Sequence, residues 1–272
     1  MRIHRILVRD KLLFVESGTV LITGASSGIG EELARLFAAH RHDLVLVARG
    51  ERKLEALSGE LARAHGIQSR VLAADLANPA APPRIFEILA QQGVTIDVLV
   101  NNAGFGARGA YAEIDYLVET RMIQVNVVAL AHLTRLFLPG MLARRNGKIL
   151  NVASTAAYVP GPFMAVYYAS KAFVLSFSEA IAEEVQGTGV TVTALIPGPT
   201  ETNFAATAGS QDSRLFRTGT VMSAAAVARV GYDGLMAGKR VAVAGVSNKL
   251  TVFSTRLAPR TMLAKITRKL NS

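Results

Sequence analysis

Thr19-Val20-Leu21-Ile22-Thr23-Gly24-Ala25-Ser26-Ser27-Gly28-Ile29-Gly30 is the stretch whose reading decides the fold. Its first five residues are apolar or β-branched and read as a short buried strand. The glycines read as a tight turn, and Ile29–Ala39 follows as an amphipathic helix. A helix that starts straight after such a turn offers unpaired N–H groups and the positive end of its dipole to an anion. Gly24, Ser26, Ser27, Gly28, Ile29 and Gly30 are therefore candidates to cradle a pyrophosphate. The spacing is G-x-x-x-G-x-G rather than the common G-x-G-x-x-G, so a ligand-free strand-to-helix turn remains the alternative reading.

Working outward, apolar strands are expected at Asp43–Ala48, Arg70–Ala74, Asp97–Asn101, Lys148–Val152, Val190–Ile196 and Arg240–Ala244. Helical patterns separate most of them, as at Lys53–His65 and Tyr168–Val185. With the first strand this makes seven near-continuous apolar runs, the pattern of strands covered by helices on both sides. The expected architecture is α/β: a Rossmann-type, doubly wound, mainly parallel seven-stranded sheet flanked by helices on both faces. Ligands are then expected outside the strands' carboxyl ends. Residues 1–16 read as a flexible extension, 17–250 as one domain with a substrate lid at 201–222, and 251–272 as a basic helical tail.

Among the 272 residues half are apolar and none is cysteine, so a sizeable core is available and thiolate chemistry is excluded. The net charge of +10 sits at the ends. From Lys239 onward there are eight Lys/Arg and no acid. No run of about 18 uncharged apolar residues occurs, and Arg9, Asp10 and Lys11 interrupt any signal-type stretch. These features fit a soluble, cytoplasmic protein with peripheral attraction to membranes through its tail. The histidines (His4, His40, His42, His65, His132) lack metal-ligand spacing, so no metal is assigned. The charges are not interleaved with aromatics, which argues against nucleic acid.

The second strand bears on the choice of dinucleotide. NAD-binding sites place an acid at its tip, about 20 residues past the glycines, to accept from the ribose 2′-OH. Here the strand ends Val47-Ala48-Arg49, Lys53 follows one helical turn later, and Asp43 is at the wrong end. Arg49 suits a 2′-phosphate, which points to NADP(H). At the chemical end, Tyr167 and Lys171 stand at i and i+4 of a helical segment. A phenol is a poor acid near neutrality, and a nearby ammonium is expected to bring its pKa toward the working range. Ser154, just past the strand Lys148–Val152, can reach the same carbonyl oxygen; Asn126 falls in a helix pattern.

Taken together, these residues resemble the short-chain dehydrogenase/reductase family over about residues 17–245. The resemblance rests on the TGASSGIG turn, Asp75-Leu76, Asn101-Asn102-Ala103-Gly104, Asn126, Ser154, Tyr167/Lys171 and Pro197-Gly198-Pro199-Thr200-Glu201-Thr202. It implies that Asp75 and the Leu76 backbone hold an adenine, and that Asn102, Ala103 and Gly104 line the cofactor floor. Asn126 would hold a water in a proton relay through Lys171 to Tyr167. Ile196, Pro197, Gly198 and Thr202 would hold the nicotinamide carboxamide. Arg49 in its place goes with NADP(H) in the family, and a homodimer or homotetramer through the helices of Asn126 and Tyr167 is implied.

Beyond the Pro-Gly motif, Phe204, Leu215, Phe216, Val221 and Met222, with Gly209 and Gly219 as hinges, either line a lipophilic pocket or merely pack the lid. Phe105, Phe163 and Met164 join the same pocket. In the tail, Arg260–Leu270 reads as a basic amphipathic helix with Leu263, Ile266 and Leu270 on one side. That side docks either on its own domain or subunit, or on an anionic membrane. Three functions therefore stand: a reductase of a lipophilic carbonyl, a non-catalytic NADP-binding sensor, and a membrane-surface interaction protein.

Overall fold

A computed structural model describes residues 2–8, 11–214 and 221–272, with side chains from residue 18 onward. In chain order the sheet strands are β3 (Thr19–Thr23), β4 (Asp43–Ala48), β5 (Ser69–Ala73), β6 (Val98–Asn101), β7 (Gly147–Val152), β8 (Val190–Ile196) and β11 (Val241–Val243), while β9 (Thr200–Glu201) and β10 (Met222–Ser223) pair with each other outside it. They form one sheet in the order β11-β8-β7-β6-β3-β4-β5, and every pairing is parallel. The order reverses beside β3, which places the glycine turn at the switch point where such sheets bind ligands. Residues 1–16, expected to be a flexible extension, instead supply β1 (Arg2–Val8). It pairs antiparallel with β2 (Lys11–Ser17) from Arg2↔Ser17 to Val8↔Lys11. Ile3, Ile6, Val8, Phe14 and Val15 are residue types that favour extended backbone.

Alternation along each strand sends side chains to two separate cores. Val20, Ile22, Leu44 and Leu46 face one side, against Leu33 and Phe37 of α1 (Gly28–Ala39) and Leu54 and Leu61 of α2 (Glu51–His65). Val227 and Leu235 of α8 (Ala224–Met236) complete that layer. Leu21, Val45, Val47 and Leu99 face the other side. There they meet Ile85 and Leu89 of α3 (Ala81–Gln91) and Leu133, Phe137 and Met141 of α5 (Leu130–Arg144). Burying each such Leu or Phe contributes about 1.5–3 kcal/mol, so the strands are held by both layers rather than by propensity.

Helix α4 (Tyr116–Ile123) runs into α5 through a π-helical turn at Gln124–Ala129. The whole span Tyr116–Arg144 is long and apolar enough to cross a membrane by length and composition, but its buried residues pack on the sheet. Beneath the carboxyl ends of the strands runs a buried polar chain. Asn101 Nδ2 donates to Asn151 Oδ1 at 2.9 Å and to Thr134 Oγ1 at 3.1 Å, and Asn151 Nδ2 donates to Ser178 Oγ at 2.9 Å. Ser178 lies on α6 (Ala165–Glu184). The domain boundary read at 250 falls inside α9 (Val246–Ser254), and α10 (Arg260–Asn271) follows.

Candidate active site

A cavity of about 1240 Å³ opens along the carboxyl ends of the strands, above the 300–1,000 Å³ typical of a drug-sized ligand site. At one end lies the glycine turn. Gly28 has φ +60, and a Cβ there would lie 2.9 Å from Thr202 Cγ2. A Cβ on Gly30 would lie 2.4 Å from both Asn102 Nδ2 and Gly24 O. No side chain caps the first turn of α1 at Ser27, which leaves its N–H groups for an anion. Asn102 Nδ2 donates to Thr23 O at 2.9 Å and Gly24 O at 3.2 Å, while Asn102 N and Ala103 N donate to Thr23 Oγ1. The turn is thus tied to the strand beside it, and its backbone fits a pyrophosphate.

Further along, Arg49 and Lys53 line the cavity and are exposed, and among the described residues neither makes an ion pair. Asp75 and Leu76 line it too; Asp75 Oδ1 accepts from Ala77 N at 3.0 Å, and Oδ2 accepts from Arg121 at 3.2 Å. Arg121 and Val118, on α4, are cavity residues that the sequence pattern did not reveal. Their helix lies more than 40 residues from Asp75, and only the fold joins them.

At the other end the chemical groups meet. Ser154 follows β7 and caps a 3₁₀ turn at Thr155–Tyr158, its Oγ accepting from Ala156 N at 3.1 Å. Its hydroxyl lies in hydrogen-bond contact with the Tyr167 phenol. Lys171 is buried, donates from Nζ to Val152 O at 2.8 Å, and sits 5.9 Å from the centre of the Tyr167 ring. Thr155 N donates to Pro197 O at 2.8 Å, which seats Pro197 and Gly198 beside Ser154. Gly104 also borders this end, with Thr202 across from the turn.

The electrostatics differ from the sequence expectation. Burial raises the Tyr167 pKa above the ordinary phenol value, and the Ser154 hydrogen bond offsets it only in part. Lys171, expected to bring the phenol down, is itself pushed down from 10.5 to about 8 by burial. Desolvation penalises the charged form of each group, and it is the largest cause of both shifts. Asn126 is buried in the π-helical turn. Its Nδ2 donates to Phe105 O at 2.9 Å and Ser170 Oγ at 3.0 Å, and its Oδ1 accepts from Phe105 N at 3.1 Å. The carboxamide fastens the Phe105 loop to α6, a structural task beyond the relay expected of it.

The roof of the chemical end comes from two segments. Phe204, on α7 (Phe204–Thr207), lies against Tyr167 with centroids 5.0 Å apart, and Phe105 and Met164 also line the cavity. Val221 and Met222 do not line it: Met222 packs on the core beneath α1 instead. Phe163 stands outside under the Arg268 guanidinium, 5.6 Å from its ring centre. Leu215, Phe216 and Gly219 lie outside the described residues. The second roof segment is α10, which contributes Leu263, Ile266, Leu270 and Asn271 to the cavity lining. Asn271 Oδ1 accepts from Tyr168 Oη at 3.1 Å, its Nδ2 donates to Pro162 O at 2.9 Å, and Arg108 Nε donates to its carbonyl. The apolar side of the tail helix is therefore turned onto its own domain.

A family model described as short chain dehydrogenase matches residues 18–213. The chain belongs to the short-chain dehydrogenase/reductase family of oxidoreductases. It is 34% identical over 257 residues to dehydrogenase/reductase SDR family member 7B of Bos taurus, covering 90% of this chain and 79% of that protein. It is 33% identical over 187 residues to a very-long-chain 3-oxoacyl-CoA reductase of Anas platyrhynchos, covering 65% of this chain and 58% of the other. Among solved structures it is similar to a short-chain dehydrogenase of Sphingobium yanoikuyae in complex with NADPH. That pair has 32% identity and a TM-score of 0.79, with 88% of this chain and 93% of that one covered.

Proposed function

We propose that this family member is an NADP(H)-dependent reductase that converts a lipophilic ketone or aldehyde to its alcohol. The observation that carries the reading is one continuous cavity with Arg49 and Lys53 at one end and Ser154, Tyr167 and Lys171 at the other. The turn Gly24–Gly30 and the first turn of α1 would hold the pyrophosphate, and Arg49 with Lys53 the 2′-phosphate. Asp75 and Leu76 would hold the adenine, Asn102, Ala103 and Gly104 the floor, and Pro197, Gly198 and Thr202 the carboxamide. When bound, the nicotinamide supplies the hydride.

The protein's own part is placement and a proton. Ser154 Oγ and Tyr167 Oη, in hydrogen-bond contact with each other, would donate hydrogen bonds to one carbonyl oxygen, where negative charge develops. Burial keeps Tyr167 protonated, which is the form a reduction needs in its proton donor. Lys171, with a pKa of about 8, readily gains or loses a proton near neutrality and stands on the same helix face. Apolar walls from Phe105, Met164, Phe204 and Leu263 favour a lipophilic substrate, in keeping with the long-chain oxoacyl substrate in the name of one relative. Leu117, Ile123, Val128 and Phe173 are exposed on the helices that carry Asn126 and Tyr167, which supports a homo-oligomer.

Titration with NADPH and NADH, followed by nicotinamide fluorescence, tests the cofactor reading. Arg49→Ala is expected to weaken NADPH binding by about tenfold or more, the worth of a charge-assisted contact, and to leave NADH unchanged. Equal loss for both nucleotides would refute a 2′-phosphate role. Tyr167→Phe should bind NADPH normally and lose turnover; retained turnover would remove the phenol from the chemistry.

A further inference from the structure

We propose that α9 and α10 form a surface that docks on an anionic lipid bilayer, with the mouth of the substrate end opening between them toward the membrane. On α9 and the turn after it, Val246, Leu250, Phe253 and Leu257 recur at i, i+4, i+7 and i+11, which makes one stripe. They are 72, 66, 59 and 77% exposed. The residues that α9 buries, Asn248 and Val252, lie on the opposite side. Met262 and Ile266 of α10 are exposed as well. This face shares Ile266 with the side suggested by the tail sequence alone but not Leu263, which is turned inward.

Charge identifies the occupant. Lys249, Arg256, Arg260, Lys265, Arg268 and Lys269 are all exposed on this segment, and among the described residues none makes an ion pair. No acidic residue follows Glu201 except Asp212 and Asp233. A second copy pairing this face with itself would bring cations together with nothing to neutralise them. An anionic bilayer surface supplies both a counter-charge and an apolar interior for the stripe. Thr251 and Ile266 are exposed and also line the cavity, as does the half-buried Thr255, so the mouth borders the stripe. A lipophilic molecule can then pass from bilayer to cavity without crossing water.

Co-sedimentation of the full chain with phosphatidylcholine vesicles, with and without phosphatidylserine, tests this. Wild type is expected to bind the phosphatidylserine vesicles and to be released by salt. Lys249→Gln/Arg256→Gln/Arg260→Gln should weaken binding by on the order of a hundredfold, at about fivefold per cation. Leu250→Ser/Phe253→Ser should lose binding with its melting temperature and oligomeric state unchanged. The proposal is overturned if wild type does not co-sediment or if the serine variant binds as well as wild type. It is also overturned if that variant instead lowers the oligomeric state, which would assign the face to a second copy.

Discussion

Replacing Lys171 by methionine removes a charge from a site where burial opposes it, and the stability change should invert with pH. The folded pKa of about 8 lies below the ordinary 10.5. At 1.36 kcal/mol per unit, the charged native lysine costs about 3 kcal/mol at pH 7. Methionine removes that cost and fills similar volume, but it leaves Val152 O without its 2.8 Å donor, a loss of about 1–3 kcal/mol. The variant should therefore be about 1 kcal/mol more stable than wild type at pH 7. As pH rises from 8 to 10.5 the unfolded chain holds the proton that the native lysine has released, so wild-type stability rises relative to the variant. By pH 10.5 only the lost hydrogen bond remains, and wild type should be the more stable by about 1–3 kcal/mol. Tyr167 and Tyr168, whose pKa values are raised, are present in both proteins and largely cancel. Denaturant unfolding of both proteins at pH 7 and pH 10 measures the difference. A stability difference that stays constant with pH, or moves the other way, would refute burial as the cause of the shift.

Gly28→Ala places a Cβ at φ +60 against Thr202; a loss of about 1–2 kcal/mol in stability and about tenfold in NADPH affinity is expected. Denaturation and nucleotide titration check it, and undiminished affinity would remove this turn from the cofactor site. Tyr168→Phe leaves the buried Asn271 carboxamide without its 3.1 Å donor, at a cost of about 1–3 kcal/mol. Steady-state kinetics should show a raised KM for a long-chain ketone with NADPH affinity intact. An unchanged KM would mean that α10 is held in place by its other contacts.

What could be read in the sequence was local. The strand, glycine turn and helix at 19–39 follow from residues within one short window, and the seven apolar runs lie within a residue or so of the observed strands. The i, i+4 relation of Tyr167 and Lys171 needs only a helix. Properties set by distant neighbours were hidden. Asn126 has an ordinary helical context in sequence, and only the π-helical turn and the Phe105 backbone bury it. The pKa of Lys171 depends on how deeply the helix lies, which no spacing encodes. The tail helix could face inward or outward until Tyr168 and Pro162, more than a hundred residues earlier, were placed beside Asn271.

The buried chain from Asn101 through Asn151 to Ser178 has a consequence for how the strands choose their partners. Val98-Leu99-Val100, Ile149-Leu150 and Val192 are interchangeable as apolar surface, so hydrophobic contact alone would tolerate several alignments of β6 on β7. With Asn101 opposite Asn151, a slip of one residue would set the Asn101 carboxamide against Leu150 or Val152, at about 1–3 kcal/mol for a buried polar group left unpaired. The polar chain thus acts as a key that fits one alignment, and the same alignment brings Asn102 and Ser154 to a common edge.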